Sequence, residues 1–425
     1  MTSKSIATPG ASAGKQLGPG GRPHPSRGRG RRQGGLSGRE FSEQLERCAV
    51  ALEEGLREGD LSRFYETFRA TDLPFLFRAH LENPRGLVQG CFDVVHRLGS
   101  ISPAVGLAVE NHYYVSGAMA TFRHRGDSAV DSRRRALLRS VVEDRLLVAN
   151  TNSRVHTVKV GSLGTVARPE EGGFRVSGSA AYMSLATEGD LVFLLTQIEN
   201  VGFAVFVAPL RGNPQIEVGP LLFPQAMVDS DTRRVTFLDA FLPAENLLLA
   251  GKSEEMSKLS AFQSAWHQTL IAAPFLGAAA RALEEGRLFL RSVNAPNGKP
   301  LAELDGMITD MGRMAICYRA ACGFSRRAGE ALEAVALRRR AAVSELSEVF
   351  ELACAAKHVA TKCAEEIVTG VRRIVGGRAF TAGTPLERLS QEVMFGPLGG
   401  EVHAFIERRY GRRILGEADF LTFSW

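Results

Sequence analysis

His267 lies between Trp266 and Gln268 in a stretch of helical period. A partly buried imidazole beside an aromatic ring can serve as a general base near neutral pH. Glu401, in Phe395-Gly396-Pro397-Leu398-Gly399-Gly400-Glu401-Val402-His403, is a carboxylate that could do the same work. Both have plain alternatives: a packed or solvent-facing helix histidine, and an acid favoured in a first helical turn. His112, in Glu110-Asn111-His112-Tyr113-Tyr114, is a further proton acceptor. Tyr182 and Ser184 set an aromatic plate two residues from a hydroxyl, or are a sheet-corner ring and a turn serine. Arg291 ends a helical stretch, where a guanidinium can pair with phosphate or with the helix dipole.

The elements that must hold these residues follow from periodicity. Phe41, Leu45, Cys48, Ala49, Leu52 and Leu56 recur at three and four, which places them on one helix face. Helical pattern continues to about Leu138, punctuated at Asn83-Pro84 and Ser102-Pro103. Near Leu146 the texture changes. Val158, Val160, Leu163, Val166 and Val176 fall in short segments, and Leu191–Leu195 and Phe203–Ala208 are apolar runs of strand length. After Gly251 helical period returns, over about 258–291, 301–335, 341–374 and 399–415, the pattern of an antiparallel four-helix bundle. The expected organisation is a basic, disordered tail at 1–39, a helical domain at 40–145, a β domain at 146–250 and a helical bundle at 251–425.

Composition narrows the function classes. Of 425 residues, 44% are hydrophobic and 23% charged, which excludes a wholly disordered or fibrous chain. The net charge of +6 comes from the tail: residues 1–39 hold eight basic side chains and no acidic one. The remaining 44 basic and 46 acidic residues argue against a nucleic-acid-binding body. The longest apolar run, Leu270–Ala280, is too short to span a bilayer. Six cysteines without a C-x-x-C read as buried thiols of a reducing cytoplasm, and no metal site is expected. Gly396-Pro397-Leu398-Gly399-Gly400 does not lie between a strand and a Lys-bearing helix, so it is not a phosphate loop.

Three ordered strings carry a resemblance. They are Phe174–Ser184 with Gly189-Asp190 behind it, Val235-Thr236-Phe237 to Leu242-Pro243-Ala244-Glu245-Asn246-Leu247, and Arg373-Ile374-Val375-Gly376-Gly377 with Pro385-Leu386-Glu387-Arg388-Leu389. Over residues 41–416 the chain resembles the acyl-CoA dehydrogenase family. The resemblance implies an α+β multi-domain fold: a helical domain, a central β-barrel-like domain and a C-terminal four-helix bundle. It also implies an FAD enzyme that removes α and β hydrogens from an acyl thioester carried on CoA or a carrier protein.

By the same resemblance, Tyr182 covers one side of the flavin ring and Ser184 faces its N5. Thr151, in Ala149-Asn150-Thr151-Asn152, sits at the pyrimidine edge, or is a turn residue. Arg291 meets the FAD pyrophosphate, although residues are inserted before Gly298 and Asn297 replaces the family's Phe. Gly376 and Gly377 let a neighbouring subunit's FAD approach, or form a simple helix C-cap. The FAD sites imply a homodimer or homotetramer. The family's usual Glu-Gly-Thr base turn is missing, and its Glu falls on Pro397 or Gly400, with Glu401 the nearest carboxylate. Some members place the base on the first bundle helix, which corresponds here to His267. Loss of the Glu is compatible with two alternatives, a flavin monooxygenase of this fold or a non-catalytic binding protein.

Overall fold

The computed structural model describes residues 36–81, 83–122, 128–151, 163–198, 201–251, 254–338 and 341–416. Of the disordered tail expected over 1–39, residues 1–35 lie outside these, as does the strand expected around Val158 and Val160; Gly38 and Arg39 instead open the first helix. Helices α1 (Gly38–Glu58), α2 (Ser62–Ala70), α3 (Leu87–Gly99), α4 (Pro103–Thr121) and α5 (Ser128–Glu143) come first. The α1 start is fixed by a capping box between Ser37 and Glu40, which satisfies orphan backbone donors reciprocally. Cys48, Ala49 and Leu52 are buried on its inner face, as the spacing requires.

Helix α4 is different in kind, because every one of its 19 residues is buried. Such a helix has no polar face to orient it. Glycines let its neighbours approach instead. A Cβ on Gly117 would come within 2.6 Å of the Trp266 ring, and one on Gly106 within 2.7 Å of Pro274 Cβ. A Cβ on Gly277 would lie 2.1 Å from the His96 carbonyl, so α3 and the helix carrying Gly277 meet backbone to backbone.

The eight strands are β1 (Val148–Asn150), β2 (Thr165–Glu170), β3 (Gly173–Met183), β4 (Leu191–Ile198), β5 (Gly202–Pro209), β6 (Ile216–Leu221), β7 (Arg233–Pro243) and β8 (Leu247–Gly251). They form one sheet in the order β6-β7-β3-β2-β4-β5-β8, with β1 parallel to β4. Among the described residues β6 and β8 do not pair, so the sheet is open. This corrects the barrel-like expectation: alternating and fully apolar strands look alike in open and closed sheets, and only edge pairing separates them. Its inner face packs Val176, Val192, Leu194, Phe206, Val235 and Phe237 into a core of its own.

The C-terminal region holds α6 (Glu254–Leu270), α7 (Ala272–Ser292), α8 (Asp305–Ala336), α9 (Val343–Val375), α10 (Pro385–Glu392) and α11 (His403–Ile414). The single helix expected over 258–291 is divided between Leu270 and Ala272. Pro274 has no N–H to offer the Leu270 carbonyl, and proline is tolerated in a first turn but not mid-helix. The interruption lets α6 lie against α4 while α7 packs on α3 and α9. Among the described residues no helix is long and apolar enough to cross a membrane.

Candidate active site

Two residue pairs, each one turn apart, face each other across α4 and α6. Glu110 and Tyr114 come from α4, and Gln263 and His267 from α6. His267 Nδ1 lies 3.0 Å from Glu110 Oε1. The Tyr114 and His267 rings are 4.6 Å apart, centroid to centroid. Asn150, at the end of β1, joins the two helices: its amide donates to the Tyr114 hydroxyl, and its Oδ1 accepts from Gln263 Nε2 at 3.4 Å. The contact between Gly117 and Trp266 sets this register, and Trp266 Nε1 donates to Thr121 Oγ1 at 3.2 Å.

Glu110 is fully buried, whereas the His267 side chain keeps 24% of its surface accessible. Burial pushes the Glu110 carboxyl up, and the charge and hydrogen bond of His267 pull it back down. Its Oε2 has no hydrogen-bond partner among the described residues. An orphaned carboxylate oxygen is costly in the interior, so the bond between Glu110 Oε1 and His267 Nδ1 is the contact that holds this carboxyl. With Nδ1 committed to Glu110, Nε2 is the working nitrogen. It faces Gly400, where a Cβ would stand 3.2 Å away.

Glu401 is placed otherwise. Its carboxylate pairs with Arg409 of α11 at 2.5 Å, its N–H donates to Gln268 Oε1 at 3.4 Å, and its carbonyl accepts from Lys357 Nζ at 2.8 Å. Burial lowers the Lys357 ammonium to about 8. His112 is held structurally. Its Nδ1 accepts from the Val148 N–H, so its Nε2–H donates to the Pro74 carbonyl, and burial lowers it to about 4.

Tyr182 occupies a bulge near the end of β3 at φ +60, a strained value for a residue with a side chain. The bulge turns the ring outward to 43% exposure, stacked on Phe223 at 6.0 Å. Phe223 meets Phe395 at 5.3 Å, and Phe395 leads into the turn that ends at Gly400. Ser184 is buried. Ser230 donates its one proton to the Met227 carbonyl, so Thr232 donates to Ser230 and Ser184 donates to Thr232. Ser184 Oγ is left presenting lone pairs. Thr151 is buried beside Asn150, with N–H and hydroxyl both directed to the Phe193 carbonyl.

The remaining predicted residues stand apart from this cluster. Arg291 is exposed in the last turn of α7. Gly376, at φ +67, ends α9, and a Cβ on Gly376 or Gly377 would meet nothing within 4 Å. Arg388 of α10 is bound to Asp229 at 2.9 Å.

Sequence reasoning missed Glu110, Tyr114, Asn150 and Gln263 as site residues. The signal was available in α4: an acid one turn before a tyrosine, directly after the apolar run 103–109.

A helical block, an open sheet and a helical C-terminal region together make an acyl-CoA dehydrogenase-like fold. Residues 269–396 match the family described as "Acyl-CoA dehydrogenase, C-terminal domain". The matched residues lie in the C-terminal helical region, from the end of α6 to the turn after α10. Its fold is similar to FMN-bound TdsC from Paenibacillus sp. A11-2, a dibenzothiophene monooxygenase, at 17% identity and TM-score 0.76, covering 90% of this chain and 98% of TdsC. KijD3, solved with FMN and a dTDP-amino-keto sugar, gives 19% identity and TM-score 0.76, covering 91% and 94%. Butyryl-CoA dehydrogenase from Megasphaera elsdenii gives 17% identity and TM-score 0.73, covering 89% and 99%.

Proposed function

We propose that this protein is a flavin-dependent oxidoreductase in which His267, held by Glu110, handles the proton. The reaction we assign is α,β-dehydrogenation of an acyl thioester on CoA or a carrier protein. The observation that carries the reading is the bond between the buried Glu110 and the part-exposed His267, with Nε2 turned toward Gly400. A carbon acid needs a base held at its α-carbon, and a carboxylate behind an imidazole fixes its tautomer and stabilises its cation. Glu401 is spoken for by Arg409.

The described residues fit a flavin. Tyr182 offers an exposed aromatic face on strained backbone, Ser184 a buried hydroxyl with acceptor lone pairs, and Thr151 a polar group beside the His267 cluster. Bound flavin would supply the hydride acceptor. In this reading it is FAD: the exposed Arg291 meets its pyrophosphate, and Gly376-Gly377 lets the FAD of a neighbouring subunit approach the backbone in a cytoplasmic homodimer or homotetramer.

One observation favours a second reading, monooxygenation with reduced flavin and O₂. The family's base carboxylate aligns to Pro397 or Gly400, neither of which carries an acid, and the adjoining Glu401 turns to α11. The first experiment is an absorption spectrum of purified protein with added FAD or FMN, repeated anaerobically with acyl thioesters. Bleaching by a thioester supports dehydrogenation. Flavin that binds, ignores every thioester and oxygenates an added acceptor once chemically reduced supports the second reading. Absence of any flavin binding removes both.

A further inference from the structure

His358 on α9 and His403 and Glu407 on α11 bring two imidazoles and one carboxylate to the same point, remote in role from the proton-handling pair. One ligand atom from each residue lies within 4.8 Å of the other two. We propose that these three side chains bind a divalent transition ion of the zinc class, which fastens α11 to α9.

The spacing is what such a site needs. His403 and Glu407 are one turn apart, so both project from one face of α11 toward α9. His358 Nε2 already meets Glu407 Oε1 at 2.7 Å, and the two imidazole rings are 4.1 Å apart, centroid to centroid. Ligand atoms about 2.0–2.1 Å from a tetrahedral zinc stand roughly 3.3 Å from one another, which small side-chain rotations reach from here.

The supporting hydrogen bond is in place as well. Thr361 gives its one hydroxyl proton to the Lys357 carbonyl at 2.9 Å. At 2.7 Å from His403 Nε2 it must therefore accept, which fixes the proton on Nε2 and leaves a lone pair on Nδ1. An outer hydrogen bond that fixes the tautomer is the usual support of a metal-bound histidine. Two imidazoles and one carboxylate suit zinc, cobalt or nickel rather than calcium or magnesium, which prefer oxygen donors. Nearby cations do not occupy the point. Lys357 is directed to the Pro397 and Glu401 carbonyls, and Lys362 is exposed.

With three protein ligands, a fourth position remains on the side of Glu407, whose side chain is 63% exposed. Because Lys357 precedes His358 and holds the 397–401 turn, an ion here would stiffen the turn that carries Gly400.

The test is equilibrium dialysis of the chelator-treated full chain against ZnCl₂, with zinc measured per chain, together with thermal melts. The expected result is one tightly held zinc, a melting temperature several degrees higher with zinc, and at least tenfold weaker retention in His403→Ala and Glu407→Gln. Glu407→Gln alters an exposed side chain, so its loss of zinc is not a loss of fold. Equal retention by the wild type and both variants would mean adventitious binding elsewhere and overturn the site. No retained zinc in the wild type would overturn it too.

Discussion

Gly400 closes over His267 with no side chain of its own. A Cβ there would sit 3.2 Å from His267 Nε2 and 3.0 Å from Gln268 Nε2, on a backbone at φ +62. Gly400→Ala should therefore cost about 1–2 kcal/mol for the left-handed conformation, measured by denaturant unfolding. It should lower turnover more than flavin affinity, because its methyl enters the space in front of Nε2. Unchanged turnover would mean that substrate does not approach from this side.

His267→Ala should lower the flavin reduction rate with the best thioester by about 10²–10⁴, the usual share of a general base. Glu110→Gln should cost less, about tenfold, since its amide oxygen can still receive Nδ1–H but cannot stabilise an imidazolium. Rapid-mixing anaerobic reduction measures both. If Glu401→Gln has the larger effect, the assignment of His267 as base is wrong.

Stability should carry a pH dependence from Glu392. Its carboxyl accepts from the Ala104 N–H at 2.9 Å and from Ser102 Oγ at 3.1 Å. Burial, the main cause, raises it to about 7, with the Ala104 N–H and Arg388 opposing, Asp229 adding and Ser102 opposing. Below the unfolded value of about 4.5 both states hold the proton. Between about 4.5 and 7 only the folded chain does, so stability falls as pH rises through that window, by about 3 kcal/mol in all. Glu392→Gln removes this contribution. Denaturant midpoints at pH 5 and pH 8 should differ less in the variant, and parallel curves would exclude the effect.

Helix contact through glycine predicts a large cost at one position. Gly277→Ala would place a methyl 2.1 Å from the His96 carbonyl and 2.6 Å from the Ser100 nitrogen, backbone atoms that cannot rotate aside. A loss of about 3 kcal/mol is expected, at the upper end of overpacking effects, read as a lower melting temperature.

Much of the fold was legible because burial imposes period. Cys48, Ala49 and Leu52 announce α1, and the apolar runs at 191–195 and 203–208 become β4 and β5, buried through most of their length. Closure of the sheet was not legible, since it depends on whether two edges far apart in sequence meet. The break at Leu270–Ala272 was signalled by Pro274 and passed over in favour of one long helix. In the site, His267 was reached through the resemblance, which puts a base on the first bundle helix. Its partner Glu110 lies 157 residues away, and no local pattern joins the two. Only an acid directly after the apolar start of α4 pointed to it.

That helix has a kinetic consequence. Sealed on every side, α4 has no fraying face through which its amides can reach water, so they should exchange hydrogen for deuterium only when the whole molecule unfolds. Glu110 would then ride on a slow-opening part of the chain. His267, with part of its surface accessible, stands on the outer side of that carboxylate, so a ligand that reaches the imidazole leaves the sealed helix behind it undisturbed.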